Sequence, residues 1–473
     1  MDYSHGVVYT PTSVQVHRKN AFVRDLDSGA CSYVRIYWVD LVNIRRCRIV
    51  PVEYFKTLLK TNRPGVNIAK VCLGLVHLMT APGFLPIGEY LYAIDIATLK
   101  PCPFAPGHMV VLGQFEEKTP VPGTDGNHTV KVNLCPRTLL RRIAEEVKKS
   151  HDTEFLVGFE TEFILLKSTD PVEPSNIHDW SASDGLLAGS TESIVLQEIA
   201  DAVRASGIAL EMFHPEAAPG QYEVVTGPLS PLEAADALIY TREIIVQIAA
   251  KHGLHATFAP RPFMNSTGSA AHVHISVHSS TEKKTASGLS KHESAFLAAV
   301  LDHLPAILAI TLPTSASYKR MADGVWSGGT YVCYGTENRE APIRLTNAAS
   351  PSSRNFEARF VDGTANPHLA LAAVFAAGLI GLRTMMELQV KDCPGPQSAA
   401  QMTESERQAL GITKRLPLNI GDARKNLEQD SALGDVLGRE LVEKFLSVNK
   451  TLENALTQDE HETQQLTRLV KFY

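Results

Sequence analysis

One stretch limits what this chain can fold into. Val157-Gly158-Phe159-Glu160-Thr161-Glu162-Phe163-Ile164-Leu165 is largely apolar and aromatic, broken by two acids. Lys148-Lys149-Ser150 precedes it and Lys167-Ser168-Thr169-Asp170 follows. This composition predicts a buried strand. Residues two apart on a strand face the same way, so Glu160 and Glu162 project side by side. Two carboxylates on one apolar face repel each other and are costly to bury. They call for a compensating cation, usually a hard divalent metal such as Mg2+ or Mn2+. A solvated sheet edge accommodates the same pair, and Glu-x-Glu by itself is common. Three later strands bring more residues of matching chemistry.

With 473 residues the chain is long enough for two or more domains with sizeable cores. A formal charge of -6 and the lack of any basic run give no electrostatic footprint for nucleic acid. The seven cysteines are odd in number, widely spaced and without a Cys-x-x-Cys pair. That pattern predicts a reducing compartment rather than a disulfide scaffold. Met1-Asp2-Tyr3-Ser4-His5 has no basic-then-apolar signal pattern. The longest apolar run, Leu369–Leu382, covers 14 residues, short of the roughly 20 that span a bilayer. It reads as a core helix, and the whole as a cytoplasmic protein with neither membrane nor nucleic acid as partner.

Residues 1–30 are polar and mixed and read as an N-terminal arm. Tyr33–Val39 is a strand by composition, and Asp40–Arg46 turns it towards a second strand around Cys47–Val50. Prolines and glycines from Pro101 to Gly107 mark loops before the apolar Met109–Leu112. The first third thus reads as a small, mostly β domain ending near residue 137. Pro136-Arg137-Thr138 opens an amphipathic helix with Leu139, Leu140, Ile143 and Val147 on its apolar side. Residues 192–206 form a further helix stopped by Gly207, and Ile208–Met212 a strand. Ser230-Pro231-Leu232-Glu233 combines a cap, a first-turn proline and an acid three residues on, a helix start whose helix runs to Lys251-His252 and Gly253. From residue 402 the pattern is helical and charged. An α+β catalytic domain follows from this order of strands and helices.

Glu216 and Glu223 flank a Pro219-Gly220 turn that can fold both onto one site. His272-Val273-His274-Ile275-Ser276 sets two imidazoles and a hydroxyl on one strand face. Gly268-Ser269 just before it lets a ligand approach the backbone. Asn355–Phe360 alternates, placing Glu357 and Arg359 together. Arg320, Arg339, Arg344 and Arg359 add four guanidinium groups suited to carboxylates and phosphates. Five acids, two histidines and these arginines suit a two-metal site that handles a phosphate and a carboxylate. No Gly-x-x-x-x-Gly-Lys-[Ser/Thr] loop is present, so a P-loop does not hold any nucleotide.

The same segments resemble the glutamine synthetase superfamily. Gly158-Phe159-Glu160-Thr161-Glu162-Phe163 is similar to its Glu-x-Glu strand, and Pro219–Glu223 to its Gly-Gln-x-Glu segment. Gly268–Ser276 resembles Gly-Ser-Gly-x-His-x-His, Glu337–Arg344 the Asn-Arg…Arg segment, and Glu357–Phe360 with Asn366-Pro367 the Glu-x-Arg…Asn-Pro block. The resemblance runs over nearly the whole chain. It implies a β-grasp domain over residues 31–137 and, over 138–473, a catalytic domain of antiparallel sheet with helices and a C-terminal helical region. It further implies a homo-oligomer of stacked rings with active sites between subunits. One metal would be held by Glu162, Glu216 and Glu223, the other by Glu160, His272 and Glu357, with Mg2+ or Mn2+ as the ion. Gly268, Arg320 and Arg359 match glutamate-side positions. His274, Ser276, Arg339 and Arg344 match positions that contact ATP, and Arg339, Arg359 and Glu357 the catalytic ones. The implied reaction is phosphoryl transfer from ATP to L-glutamate, then attack of ammonia or an organic amine on the γ-glutamyl phosphate.

Departures from the pattern fall mainly on the ammonium side. Where ammonia-using members carry a flap acid, about six residues after the Arg matched by Arg320, this chain has Val325-Trp326-Ser327-Gly328-Gly329. No Asp-Gly-Ser-Ser-type segment occurs between residues 60 and 95. A site lacking two anionic contacts holds a small cation poorly, whereas Trp326 would wall a pocket for an organic amine. Ser352 and Asn355 replace basic residues on the nucleotide side, and Ala270 a Gly. Against the ligase stands a non-catalytic, ring-forming structural or signalling protein that keeps the fold. Retention of all six candidate metal ligands argues against it, because folding does not need that many buried acids.

Overall fold

The computed structural model describes residues 5–12, 22–26, 29–123, 126–178, 183–282, 284–285, 288–459 and 461–473. Of the arm expected over residues 1–30, residues 1–4, 13–21 and 27–28 therefore lie outside the described residues. Two sheets organise the chain. The first holds β1 (Tyr33–Val39), β2 (Arg45–Pro51) and β3 (Gly65–Ala69). A two-residue hairpin, β4 (Leu75–Val76) and β5 (Met79–Thr80), intervenes before β6 (Glu89–Pro101), β7 (His108–Pro122) and β8 (His128–Lys131) complete it. Its order is β2-β1-β7-β6-β3 with β8 on β7, and β1 runs parallel to β7. Helix α1 (Val52–Leu59) buries Val52 and Phe55 beneath it. The apolar Met109–Leu112 is the buried start of a much longer strand, because the polar residues after it also find partners on β6 and β8.

The second sheet is built on β9 (Thr153–Thr169), the strand expected around Glu160 and Glu162. It adds β10 (Val172–Pro174), β11 (Leu210–Pro215), β12 (Gln221–Leu229), β13 (His255–Thr257), β14 (Val273–Ser279), β15 (Tyr334–Thr336), β16 (Ile343–Thr346) and β17 (Asn355–Ala358). The order is β11-β12-β9-β14-β17-β16-β15, with β10 and β13 also on β9. Every pairing is antiparallel except β15 with β16. The strand expected at Ile208–Met212 begins later, at Leu210. Ile208 instead closes the preceding helix, its N–H bonded to Val203 O at 3.2 Å after Gly207 turns the chain at φ +70°.

Helix α2 (Pro136–His151) buries Leu139, Leu140, Ile143 and Val147 as its periodicity predicts, and the boundary expected at residue 137 falls in its first turn. Helices α3 (Thr191–Ala205) and α4 (Pro231–Lys251) stand where their stop and start signals lie. Ser230 precedes α4 as expected but caps it differently. Its hydroxyl donates to the Glu233 carboxylate at 2.6 Å and accepts no backbone N–H. Helices α5 (Lys291–Thr311) and α7 (Pro367–Thr384), with the short α6 (Ser315–Arg320) between them, belong to the core. Phe155 of β9 stacks on Phe375 of α7 at 4.4 Å and touches Phe296 of α5 at 5.2 Å. A Cβ at Gly381 would lie 2.1 Å from Ala295 O, so glycine lets the two helices close. Both are long and apolar enough to cross a membrane, and both are largely buried within the protein. Five further helices between Glu404 and Phe472 form the charged C-terminal region.

An ion network locks the two sheets together. The Arg137 guanidinium donates to Asp95 of β6 at 2.8 Å and to Asp236 of α4 at 2.8–3.1 Å. His368 of α7 meets the same Asp236 at 2.8 Å.

Candidate active site

Strand register assembles the site. Glu162 stands opposite Glu223 across β9 and β12. One row across four strands aligns Gly158, His274, Glu357 and Arg344. Side chains alternate, so Glu160, Glu162, His274 and Glu357 reach the same open face. His272, just ahead of β14, receives the Glu160 N–H on its carbonyl at 3.1 Å, which sets the ring beside the acids.

His272 Nδ1 lies 2.9 Å from Glu160, 3.6 Å from Glu357 and 3.8 Å from Glu162. His274 Nε2 lies 3.0 Å from Glu160, and its Nδ1 meets Asn355 Oδ1 at 2.8 Å. Glu162 accepts from Gln221 Nε2 at 2.6 Å and from the Ala270 N–H at 2.9 Å. Glu357 is gripped by two guanidinium groups, Arg344 at 3.1 Å and Arg359. Arg359 also donates to Trp326 O at 2.7 Å, and Arg320 to Arg359 O at 2.9 Å. Gly268 lies against the Arg320 stem, where a Cβ would come within 2.3 Å. One expected residue turns away from the cluster, Ser276, which bonds His278 at 2.7 Å; Arg339, exposed on the turn after β15, is near enough for its charge to act on Glu216.

Ionisation follows from this crowding. Burial, then the charges of Glu223 and Glu216, push the Glu162 carboxyl well above the ordinary range. Burial raises Glu216 too, and pushes Glu223 to about 7. Burial alone would raise Glu160, but the His274 charge and the bonds with both histidines hold it well below the usual value. Burial and the Arg359 charge lower His272 to about 4, leaving a neutral imidazole. His274 rises to about 9, because Glu160 outweighs the burial of its ring.

Three groupings bring ligand atoms within reach of one ion: Glu160, Glu223 and His272; Glu160, His274 and Glu357; His214, Glu216 and Glu223. The carboxylate oxygens, with His272 as the neutral imidazole among them, suit Mg2+ or Mn2+, and a hard divalent cation would relieve the crowding of Glu162, Glu216 and Glu223. These sets differ from the expected pair of triads in three ways, the first being that His274, expected on the nucleotide side, joins Glu160 and Glu357. Glu162 sits at the margin of the groupings, turned towards Gln221 and Ala270. His214, which sequence reasoning missed, enters one of them, with Nε2 3.1 Å from Glu223. The signal was its position on the strand next to β12, two residues before Glu216. Gln221 also went unassigned, yet it bridges Glu162 to Gly268 O at 3.2 Å.

Around the acids lie donors with no protein partner. The Nε–H groups of Arg320, Arg344 and Arg359 and the hydroxyl of Ser269 are buried and unpaired among the described residues.

A family model described as the glutamine synthetase catalytic domain matches residues 133–469. Protein fluG of Emericella nidulans is 36% identical over 434 residues, covering 90% of this chain and 47% of fluG, so the chain spans about half that relative's length. The glutamine synthetase of Methanocaldococcus jannaschii is 34% identical over 386 residues, covering 78% of this chain and 80% of the relative. The γ-glutamylpolyamine synthetase GlnA3 of Streptomyces coelicolor is 33% identical over 329 residues, covering 66% and 68%. A solved structure described as a novel glutamine synthase homolog superposes with a TM-score of 0.76 at 27% identity, covering 94% of this chain and 99% of that one. The chain belongs to the glutamine synthetase superfamily of C–N bond-forming ligases.

Proposed function

We propose that this protein is an ATP- and Mg2+- or Mn2+-dependent ligase that joins L-glutamate to an organic amine through γ-glutamyl phosphate. One observation carries the reading. The guanidinium groups of Arg320, Arg344 and Arg359 stand beside a buried cluster of acids, so cationic side chains suited to anions and acids suited to cations share one site. Glu160, Glu162, Glu216, Glu223, His272 and Glu357 would hold the metal, which screens phosphate charge during transfer. Gly268, Arg320 and Arg359 would hold glutamate. His274, Ser276, Arg339 and Arg344 would face the nucleotide.

In the first step the glutamate side-chain oxygen attacks the γ-phosphorus and the bond to ADP breaks. Arg344 and Arg359, already fixed against Glu357, offset the charge that gathers there. In the second step the neutral amine nitrogen attacks the acyl carbon, the bond from that carbon to the phosphate oxygen breaks, and the departing phosphate takes the proton that the amine loses.

The choice of an organic amine rests on the flap. Two acids beside the flap, Asp323 and Glu340, accept from the flap's own residues. Glu340 accepts the N–H groups of Gly324, at 2.9 Å, and of Trp326. Asp323 accepts the N–H and hydroxyl of Thr330 at 2.8–2.9 Å. Both are drawn in towards the flap, while Trp326 is 56% exposed. The named polyamine-using relative is in keeping with this, and the glutamine synthetase relatives favour ammonia as the rival. Phosphate release with MgATP and L-glutamate, tested across ammonium, monoamines and polyamines, decides between them. Stimulation by ammonium alone would replace the organic amine with ammonia, and silence with every amine would overturn the ligase reading.

A further inference from the structure

The amino-terminal arm is anchored at two points on either side of the strands that carry the site. His5 donates its backbone N–H to Ser350 Oγ at 2.8 Å, and its carbonyl accepts from Ser353 Oγ at 2.6 Å. Four residues later the Tyr9 hydroxyl donates to the Glu211 carboxylate. Ser350 and Ser353 lie in the loop between β16 and β17, whereas Glu211 lies on β11 at the far edge of the sheet. Between β17 and β11 run β14, β9 and β12, the strands bearing His274, Glu160 and Glu223.

Four strand spacings amount to roughly 19 Å. Five residues reach at most about 16–18 Å, less for the bend at Gly6, and the Tyr9 and Glu211 side chains supply the remainder. His5–Tyr9 is therefore the right length to bridge from one side of the cluster to the other.

The ledge that receives His5 is held rigidly. Arg354 donates to the buried Glu293 at 2.7 and 3.1 Å and to Ala348 O at 3.3 Å. The same ledge leads into the site. Asn355 Nδ2 donates to Ser353 O at 3.1 Å, Asn355 Oδ1 meets His274 Nδ1, and His274 Nε2 meets Glu160. Gly6 makes the docking possible. It has φ +88°, and a Cβ there would lie 2.8–2.9 Å from the Ser353 side chain.

We propose that residues His5–Tyr9 form a strap across the nucleotide-side rim of the site, latched by Tyr9 on Glu211 and by His5 on Ser350 and Ser353, and that nucleotide enters and leaves only when the strap lifts. This rests on the nucleotide reading of the site given above. A gate slows both directions of exchange, whereas a residue that merely contacts bound nucleotide affects release alone.

The test uses the full chain and two variants outside the catalytic machinery. Gly6→Val clashes with the ledge, and Tyr9→Phe removes the latch. Binding and release of a fluorescent ADP analogue with Mg2+ are followed by stopped flow, with equilibrium affinity for MgADP taken from calorimetry. Both variants are expected to speed association and dissociation by roughly three- to tenfold, with the affinity moving less than either rate. Tight binding with unchanged rates overturns the strap alone, as does faster release without faster association. Failure of wild type and variants alike to bind MgADP overturns the nucleotide reading and the strap with it.

Discussion

Glu162 and Glu223 face each other directly across β9 and β12, both at least nine-tenths buried. Neighbouring strands hold the two side chains close, and without a cation burial and that crowding keep both carboxyls above their ordinary values. A bound cation favours their charged forms and removes that cost.

Mg2+ or Mn2+ should accordingly raise the melting temperature, and a chelator should lower it. A ligand that binds only the folded state at a hundred times its dissociation constant adds about 2.7 kcal/mol. Glu223→Gln should melt higher than wild type without metal and gain less from added ion. Equal gains in the two proteins, measured by scanning calorimetry, would remove Glu223 from the metal site.

Glu357 is held by Arg344 and Arg359 and lies near both histidines. Burial opposes its charge, but Arg359 and the histidines lower its carboxyl below the ordinary value. Glu357→Gln keeps the shape and removes the charge. Phosphate transfer should fall by roughly a hundredfold or more, while assembly, checked by light scattering, stays intact. Unchanged turnover would show that the carboxylate takes no part in the chemistry.

Trp326 has φ +54°, an exposed ring and a carbonyl that anchors Arg359. Trp326→Ala leaves that carbonyl in place and removes only the ring. The order of preference among amines should change, with larger apolar amines losing most. A uniform drop for every amine would mean that the ring does not line their pocket.

Asp236 gives a pH signature away from the site. Burial alone would raise its carboxyl, but Arg137 and His368 hold it well below the usual 3.8. A depressed folded value means the stabilisation is present above pH 3.8 and is lost as pH falls below it. Asp236→Asn should cost about 3–5 kcal/mol at pH 7, because it leaves Arg137 buried with too little countercharge. In urea unfolding the gap from wild type should narrow between pH 5 and pH 3. A gap that stays constant over that range would argue against the ion network.

Much of the architecture was legible in the chain. Periodicity marked β1, β9 and α2, because burying one face is a local constraint that repeats every two or 3.6 residues. Capping and stop residues marked α3 and α4 to within about one residue, although Ser230 spends its hydroxyl on Glu233. The five acids, two histidines and four arginines could be named for their chemistry, and motif order tied them to one family. Strand β11 was misplaced by two residues, since Ile208 is apolar whether it pairs in a sheet or closes a helix.

What sequence could not supply was contact between distant segments. His214 joined the acids only through the register of β11 on β12, and Glu340 was lost to the flap because its carboxylate folds back onto Trp326. The arm read as a polar tail until Gly6 was seen fitted against Ser353. Alternation and capping act over a few residues and are written in the order of the chain. Which carboxylate meets which guanidinium depends on strand order and register, fixed only once hundreds of residues have packed together.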